Sequence, residues 1–255
     1  MELYLTSDGR SNNETDPATW TNGDVTTTFE NVNWTTTGWI PDENGDSCLR
    51  LNGTATAEVQ FQPFKDDLRI YGKTIELEFT IRDVNNRDAT VISCMSGGIG
   101  FEVKPDRAHI KSEGNQVFCN YKDEERVRLS FVVEASSESR LLLMYLNGVL
   151  SDAVQYTTTD NFQQSTPVNI TIGSPYCGVD VYNIRSYSTA LPSQSVVNNY
   201  IAEQKVNYKI DNIDNIDWKY LFDNITINSQ FLDKLYWSHL DLPDDLDCNI
   251  SEAKI

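Results

Sequence analysis

From residue 73 to residue 83 the side chains alternate without a break. Ile75, Leu77, Phe79 and Ile81 fall on one side, and Glu76, Glu78, Thr80 and Arg82 on the other. A helix would scatter both sets around its circumference. An extended chain sends them to opposite faces, because successive Cβ atoms point in opposite directions. The segment therefore reads as a β-strand with an apolar face on a core and a polar face expected to be wet. A strand of this kind must bury its apolar side against a second layer.

The same period recurs along the chain. Val127, Leu129, Phe131 and Val133 alternate with Arg126, Arg128, Ser130 and Glu134. Shorter strand-like runs are expected at 32–40, 48–51, 57–61, 89–94, 100–103, 109–112, 116–121, 141–146, 168–172 and 179–187. Asn147-Gly148 follows one of them, and both residues tolerate the positive φ of a type I′ hairpin turn. About ten to twelve short strands separated by turn residues indicate a two-sheet antiparallel sandwich. One helix is expected at 192–204, opened by Pro192 in its first turn and striped by Val196, Val197, Tyr200 and Ile201. Residues 1–30 read as an ordered arm with one short strand, anchored by Leu3, Leu5 and Trp20. The sandwich is expected over 31–205 and a distinct segment over 206–255.

The net charge of −18 disfavours nucleic acid and anionic membrane surfaces as partners. There is no apolar stretch of the roughly 18 residues that a membrane span needs, and Met1-Glu2-Leu3-Tyr4-Leu5 does not read as a signal peptide. The cysteines, Cys48, Cys94, Cys119, Cys177 and Cys248, are scattered, odd in number and without CxxC spacing. They read as free, mostly buried thiols; a Cys94–Cys119 bridge stays open as the alternative.

The segment 178–192, Gly-Val-Asp-Val-Tyr-Asn-Ile-Arg-Ser-Tyr-Ser-Thr-Ala-Leu-Pro, resembles the closing strand and helix start of concanavalin A-like and laminin-G-like lectin domains. Leu143-Met144-Tyr145-Leu146-Asn147-Gly148 is similar to their hairpin, and 73–82 to an early strand, in the same order along the chain. The resemblance implies a jelly-roll sandwich. Gly9-Arg10-Ser11-Asn12-Asn13-Glu14 with Trp20, then Gly38-Trp39, Gly72-Lys73-Thr74 and Tyr182-Asn183-Ile184-Arg185, are similar to laminin-G modules in structural proteins of gut-bacterial phages. That likeness implies a virion component, made in the host cytoplasm and acting outside the cell, on a tail or fibre that contacts the host surface. Calcium near a sheet edge is also common in domains of the resembled kind.

Catalysis is not expected. Glycosidases of this architecture carry three carboxylates on one strand face. The segment 76–82 offers only Glu76 and Glu78. His109 and His239 are isolated, so zinc is not indicated, and no G-x-S-x-G elbow occurs. The loop at 83–88 is rich in oxygen donors, and Asp83, Asn85 and Asp88 are the candidate calcium ligands; the loop at 42–46 is a second such stretch. Sugar recognition needs an aromatic platform beside polar groups. Tyr121 and Tyr176, near expected loops, and Trp39 are the candidate ligand-binding residues. Trp34 and Trp39, five apart, would lie on opposite faces of a regular strand.

Beyond Val206 the composition changes. Residues 208–255 hold nine aspartates, one glutamate, four lysines and no arginine, together with many aromatics. A mostly helical or irregular appendage is expected, with Trp218, Phe222, Phe231, Leu235 and Trp237 as docking anchors. Two functions follow as expectations. One is a non-enzymatic lectin-like module binding surface glycan. The other is a structural or decoration protein contacting other virion proteins, with self-association as a homo-oligomer compatible with both.

Overall fold

The computed structural model describes residues 1–65, 72–95, 98–136, 138–158, 166 and 168–207. The docking anchors Trp218, Phe222, Phe231, Leu235 and Trp237 lie outside these residues, as does Cys248. The strands are β1 (Leu3–Thr6), β2 (Thr21–Asn22), β3 (Val25–Glu30), β4 (Gly38–Pro41), β5 (Ser47–Leu51), β6 (Thr56–Val59), β7 (Lys73–Arg82) and β8 (Ile92–Met95). They continue with β9 (Ile99–Lys104), β10 (Arg107–Ser112), β11 (Asn115–Asn120), β12 (Val127–Ala135), β13 (Ser139–Leu146), β14 (Val149–Thr157), β15 (Ile170–Ile172) and β16 (Gly178–Tyr187). One helix, α1 (Ser193–Asn207), follows.

The strands form two antiparallel sheets. The first runs β14-β13-β12-β7-β16-β5-β4, with β1 also pairing β16; the second runs β11-β10-β9-β8-β15-β6-β3-β2. The all-β sandwich expected from the alternation is thus the observed architecture. Ile75, Leu77, Phe79 and Ile81 point into one core shared with Phe101, Val103, Ile110 and Val117 of the second sheet. Phe101 and Phe131 stack across the interior at 4.8 Å between ring centroids. Asn147 and Gly148 adopt φ of 51° and 76°, the positive values that a type I′ turn requires.

Several local readings are corrected. Residues 1–30 supply three strands rather than one, and β1 hydrogen-bonds along β16 at the centre of the first sheet. The run at 32–40 is not one strand. A turn at 33–37 precedes β4, closed by the Thr36 and Thr37 amides donating to the Asn33 carbonyl. Trp34 and Trp39 therefore meet on one side, 6.4 Å apart, instead of facing opposite ways. β14 is an edge strand whose inward positions Asp152, Val154 and Tyr156 are only half-buried, and it had no counterpart among the expected runs. Cys48, Cys94, Cys119 and Cys177 are free and buried, so the alternative Cys94–Cys119 bridge is absent.

The polar face of β7 is not wet. Glu76 is 0 % exposed and Glu78 4 %. Glu76 accepts a hydrogen bond from Arg128 at 2.7 Å and others from Ser130 (3.2 Å) and Asn199 (3.1 Å). Glu78 accepts from Arg126 at 2.7 Å and from Asn183. A bulge at Tyr182 shifts the β16 register against β7. It puts Tyr182 and Asn183 on the same outer face, Tyr182 beneath the Arg126 guanidinium at 3.7 Å and Asn183 on Glu78. The helix covers part of this face. Val196 of α1 packs on Val132, Leu143 and Tyr145. Only Val196 of the expected stripe is fully buried, and Ile201 remains 43 % exposed.

Candidate ligand-binding site

Within the first sheet β16 lies between β7 and β5, so β5 and β7 end where β16 begins: Leu51 pairs with Val179 and Arg82 with Gly178. The loops that follow β5 and β7 and the one that precedes β16 consequently meet at one end of the sandwich. They enclose a cleft of about 210 Å³ lined by Asn52, Gly53, Asp83, Asn85, Pro175, Cys177 and Gly178. Tyr176 sits at its margin, 51 % exposed. The Asn85 N–H donates to the Tyr176 carbonyl at 2.9 Å, tying the two loops together.

The floor is a charged clamp. Asp180, 1 % exposed, takes two hydrogen bonds from Arg50, at 2.8 Å to Oδ1 and 2.6 Å to Oδ2. Arg82 approaches the same carboxylate with Nη2 at 3.0 Å and Nε at 2.9 Å. A buried carboxylate held by two forked guanidiniums is fixed in place, because breaking either pair would strand a charge. Arg82 also donates to Asn52 Oδ1 at 3.2 Å, linking the floor to the cleft wall. Burial first, then the charge of Asp180, push the nearby Cys48 thiol up to about 12. Burial likewise raises Cys177, opposed by a hydrogen bond with Ser174. Both thiols are therefore protonated and poor nucleophiles at neutral pH.

Gly178 is required by close approach. A Cβ there would lie 2.6 Å from Asn52 Oδ1 and 3.3 Å from Arg82 Nη2. Asp83 holds a left-handed φ of 53°, a conformation aspartate tolerates better than most side chains. Its carboxylate is 72 % exposed, with Arg82 at 3.5 Å. The cleft thus offers one exposed carboxylate and two side-chain amides, with the exposed Tyr176 in the adjoining loop. Such a set hydrogen-bonds hydroxyls and stacks against an apolar ring face.

The expected residues are redistributed accordingly. Tyr176, Asp83 and Asn85 come together here. Asp88 does not join them, because its carboxylate is taken by Arg107 at 2.5 Å. Among the described residues no group of three His, Cys, Asp or Glu side chains could hold a metal ion. The second oxygen-rich loop is spent too: Asp42 accepts from the Asn44 and Asp46 amides, and Asp46 pairs with Arg126. Trp39, expected to bind ligand, is instead core. It is 2 % exposed, stacks edge-on with Trp20 at 5.4 Å and donates its indole N–H to the Pro17 carbonyl at 2.6 Å. Tyr121 packs its ring on Phe79 and donates its hydroxyl to the carbonyls of Lys104 and Arg107, which leaves it no free platform. Sequence reading missed Asn52 and Gly178. The Asn52-Gly53 turn dipeptide was their only local signal. Glu76 and Glu78, the two carboxylates of the strand motif, are each locked to an arginine and almost wholly buried.

No family model and no curated protein matches the chain. Solved structures do. The receptor-binding domain of botulinum neurotoxin D superposes with a TM-score of 0.57 at 11% identity, covering 79% of this chain and 52% of that one. The binding domain of botulinum neurotoxin DC in complex with SialylT gives 0.53 at 12% identity, with 79% and 51% covered. The same domain in complex with rat synaptotagmin II gives 0.54 at 15% identity, with 78% and 51% covered. The chain spans about half the length of these neighbours. At such identity the likeness establishes a shared β-sandwich fold and nothing finer.

Proposed function

We propose that the sandwich is a non-enzymatic, lectin-like binding module whose ligand is a surface carbohydrate held at the loop-end cleft. The observation that carries this reading is the cleft lined by Asp83, Asn85 and Asn52, with the exposed Tyr176 in the loop whose Pro175 and Cys177 also line it. The ring would take the apolar face of a sugar, and the carboxylate and amides its hydroxyls. The neighbours lend support, since one was solved with SialylT and another with rat synaptotagmin II. The sequence likeness to phage structural modules favours a place on a virion tail or fibre, made in the host cytoplasm and acting on the host surface. Calcium, if used, would enter at Asp83 and Asn85 with backbone carbonyls.

The test is binding of the full-length chain to bacterial cells and their purified surface glycans, with calcium and with a chelator. Saturable glycan binding that falls at least about tenfold in Tyr176→Ala supports the reading. Binding that is absent, or indifferent to Tyr176→Ala, overturns it. A second reading, an inert virion building block docked through its C-terminal segment, is favoured by the acidic, aromatic composition of 208–255. It expects removal of 208–255 to abolish incorporation into particles while glycan binding stays absent.

A further inference from the structure

At one edge of the sandwich the two sheets end on β14 and β11. The edges touch where the Phe118 N–H donates to Asp152 Oδ2 at 3.0 Å. Elsewhere along the same margin β13 and β14 and the β10–β11 turn border a cleft of about 600 Å³, lined by Glu113, Asn115, Ser139, Gln155, Tyr156 and Thr157. That volume lies within the range of about 300–1,000 Å³ typical of small-molecule sites.

The lining selects a class of ligand. All six residues carry a hydrogen-bonding group, and none is a cation. Among the described lining residues an anionic ligand would meet Glu113 and no cation. An acyl chain or apolar peptide would find among them no apolar wall apart from the Tyr156 ring. Two amides, Asn115 and Gln155, both donate and accept, as vicinal hydroxyls do, and a carboxylate accepts several hydroxyl protons at once. Behind the Tyr156 wall of the cleft lies unmet polarity. The Tyr156 hydroxyl is set against that of Ser112, which is 0 % exposed. Neither closes a well-formed hydrogen bond. Buried hydroxyls in that condition gain from a polar ligand or water that reaches them.

We propose that this edge cleft is a second carbohydrate site, shaped for a short neutral oligosaccharide. The inference shares its ligand class with the proposed function but none of its residues. Asn115 and Gln155 bind hydroxyls from the two walls, Glu113 accepts from a third, and the Tyr156 ring backs the sugar.

Calorimetric titration of the full-length protein with malto-, cello-, xylo- and manno-oligosaccharides tests it. At least one series is expected to bind. Asn115→Ala combined with Gln155→Ala should weaken that binding at least about tenfold, while Tyr176→Ala leaves it within about twofold. Gln155→Trp, which fills the cleft from an exposed position, should abolish it without lowering the melting temperature. Binding lost in Tyr176→Ala alone overturns the edge site and upholds the loop-end site. Binding unchanged in both cleft variants, or no binding of any series, overturns the edge site.

Discussion

The two sheets share one core but treat their outer faces in opposite ways. On the first sheet, outward side chains such as Glu76, Glu78, Arg128 and Asp180 are almost wholly excluded from solvent. They survive there because each carboxylate meets a guanidinium and further donors, and because α1 closes over part of the layer. On the second sheet, β10 turns Arg107, His109 and Lys111 outward, and Phe118 beside them stays 42 % exposed. His109 packs its ring against Phe118 at 5.7 Å and sits 3.6 Å from Glu102. The difference teaches that alternation reports which residues point away from the core. It does not report whether water lies there.

Single substitutions can break this contrast. The largest effect is expected at Asp180. Asp180→Ala leaves Arg50 and Arg82 facing each other in a buried layer, and should cost about 3–5 kcal/mol in urea unfolding. A cost below about 1 kcal/mol would mean that water reaches this face after all. On the open face Phe118→Ser should change stability by no more than about 0.5 kcal/mol by the same assay. A loss of several kcal/mol would mean that Phe118 is part of a packed layer.

The smallest effect is expected from pH. Burial, helped by the charges of Lys104, Lys111 and Arg107 and opposed by Glu102, holds the His109 imidazole below its ordinary 6.5. The unfolded chain therefore takes up that proton at a higher pH than the folded one. Above pH 6.5 the group has no effect on stability; as pH falls through 6.5 stability is lost. His109→Gln should flatten this limb when unfolding is followed from about pH 7 down to about pH 5. An unaltered limb would show that burial does not hold the His109 imidazole below its ordinary value.

The strands were legible because the chain repeats a period of two wherever a sheet has one face on the core. Ile75 to Ile81 and Val127 to Val133 could be placed inside without any coordinates, and Asn147-Gly148 could be placed in its turn from φ tolerance alone. Tyr176, Asp83 and Asn85 could be named as candidates because exposed aromatics and Asp/Asn loops carry their chemistry locally. Other assignments were not open to sequence. Trp39 and Tyr121 have the same aromatic chemistry as Tyr176, and only long-range packing onto Trp20 and Phe79 buries them. Asp88 has the same carboxylate as Asp83, and only its distance from Arg107 removes it from the cleft. Sequence by itself thus determined the sandwich, its core and the type of loop chemistry. The tertiary structure alone decided which loops share an end, which polar face is sealed by a helix and arginines, and where the loop-end and edge clefts lie, because solvation depends on neighbours distant along the chain.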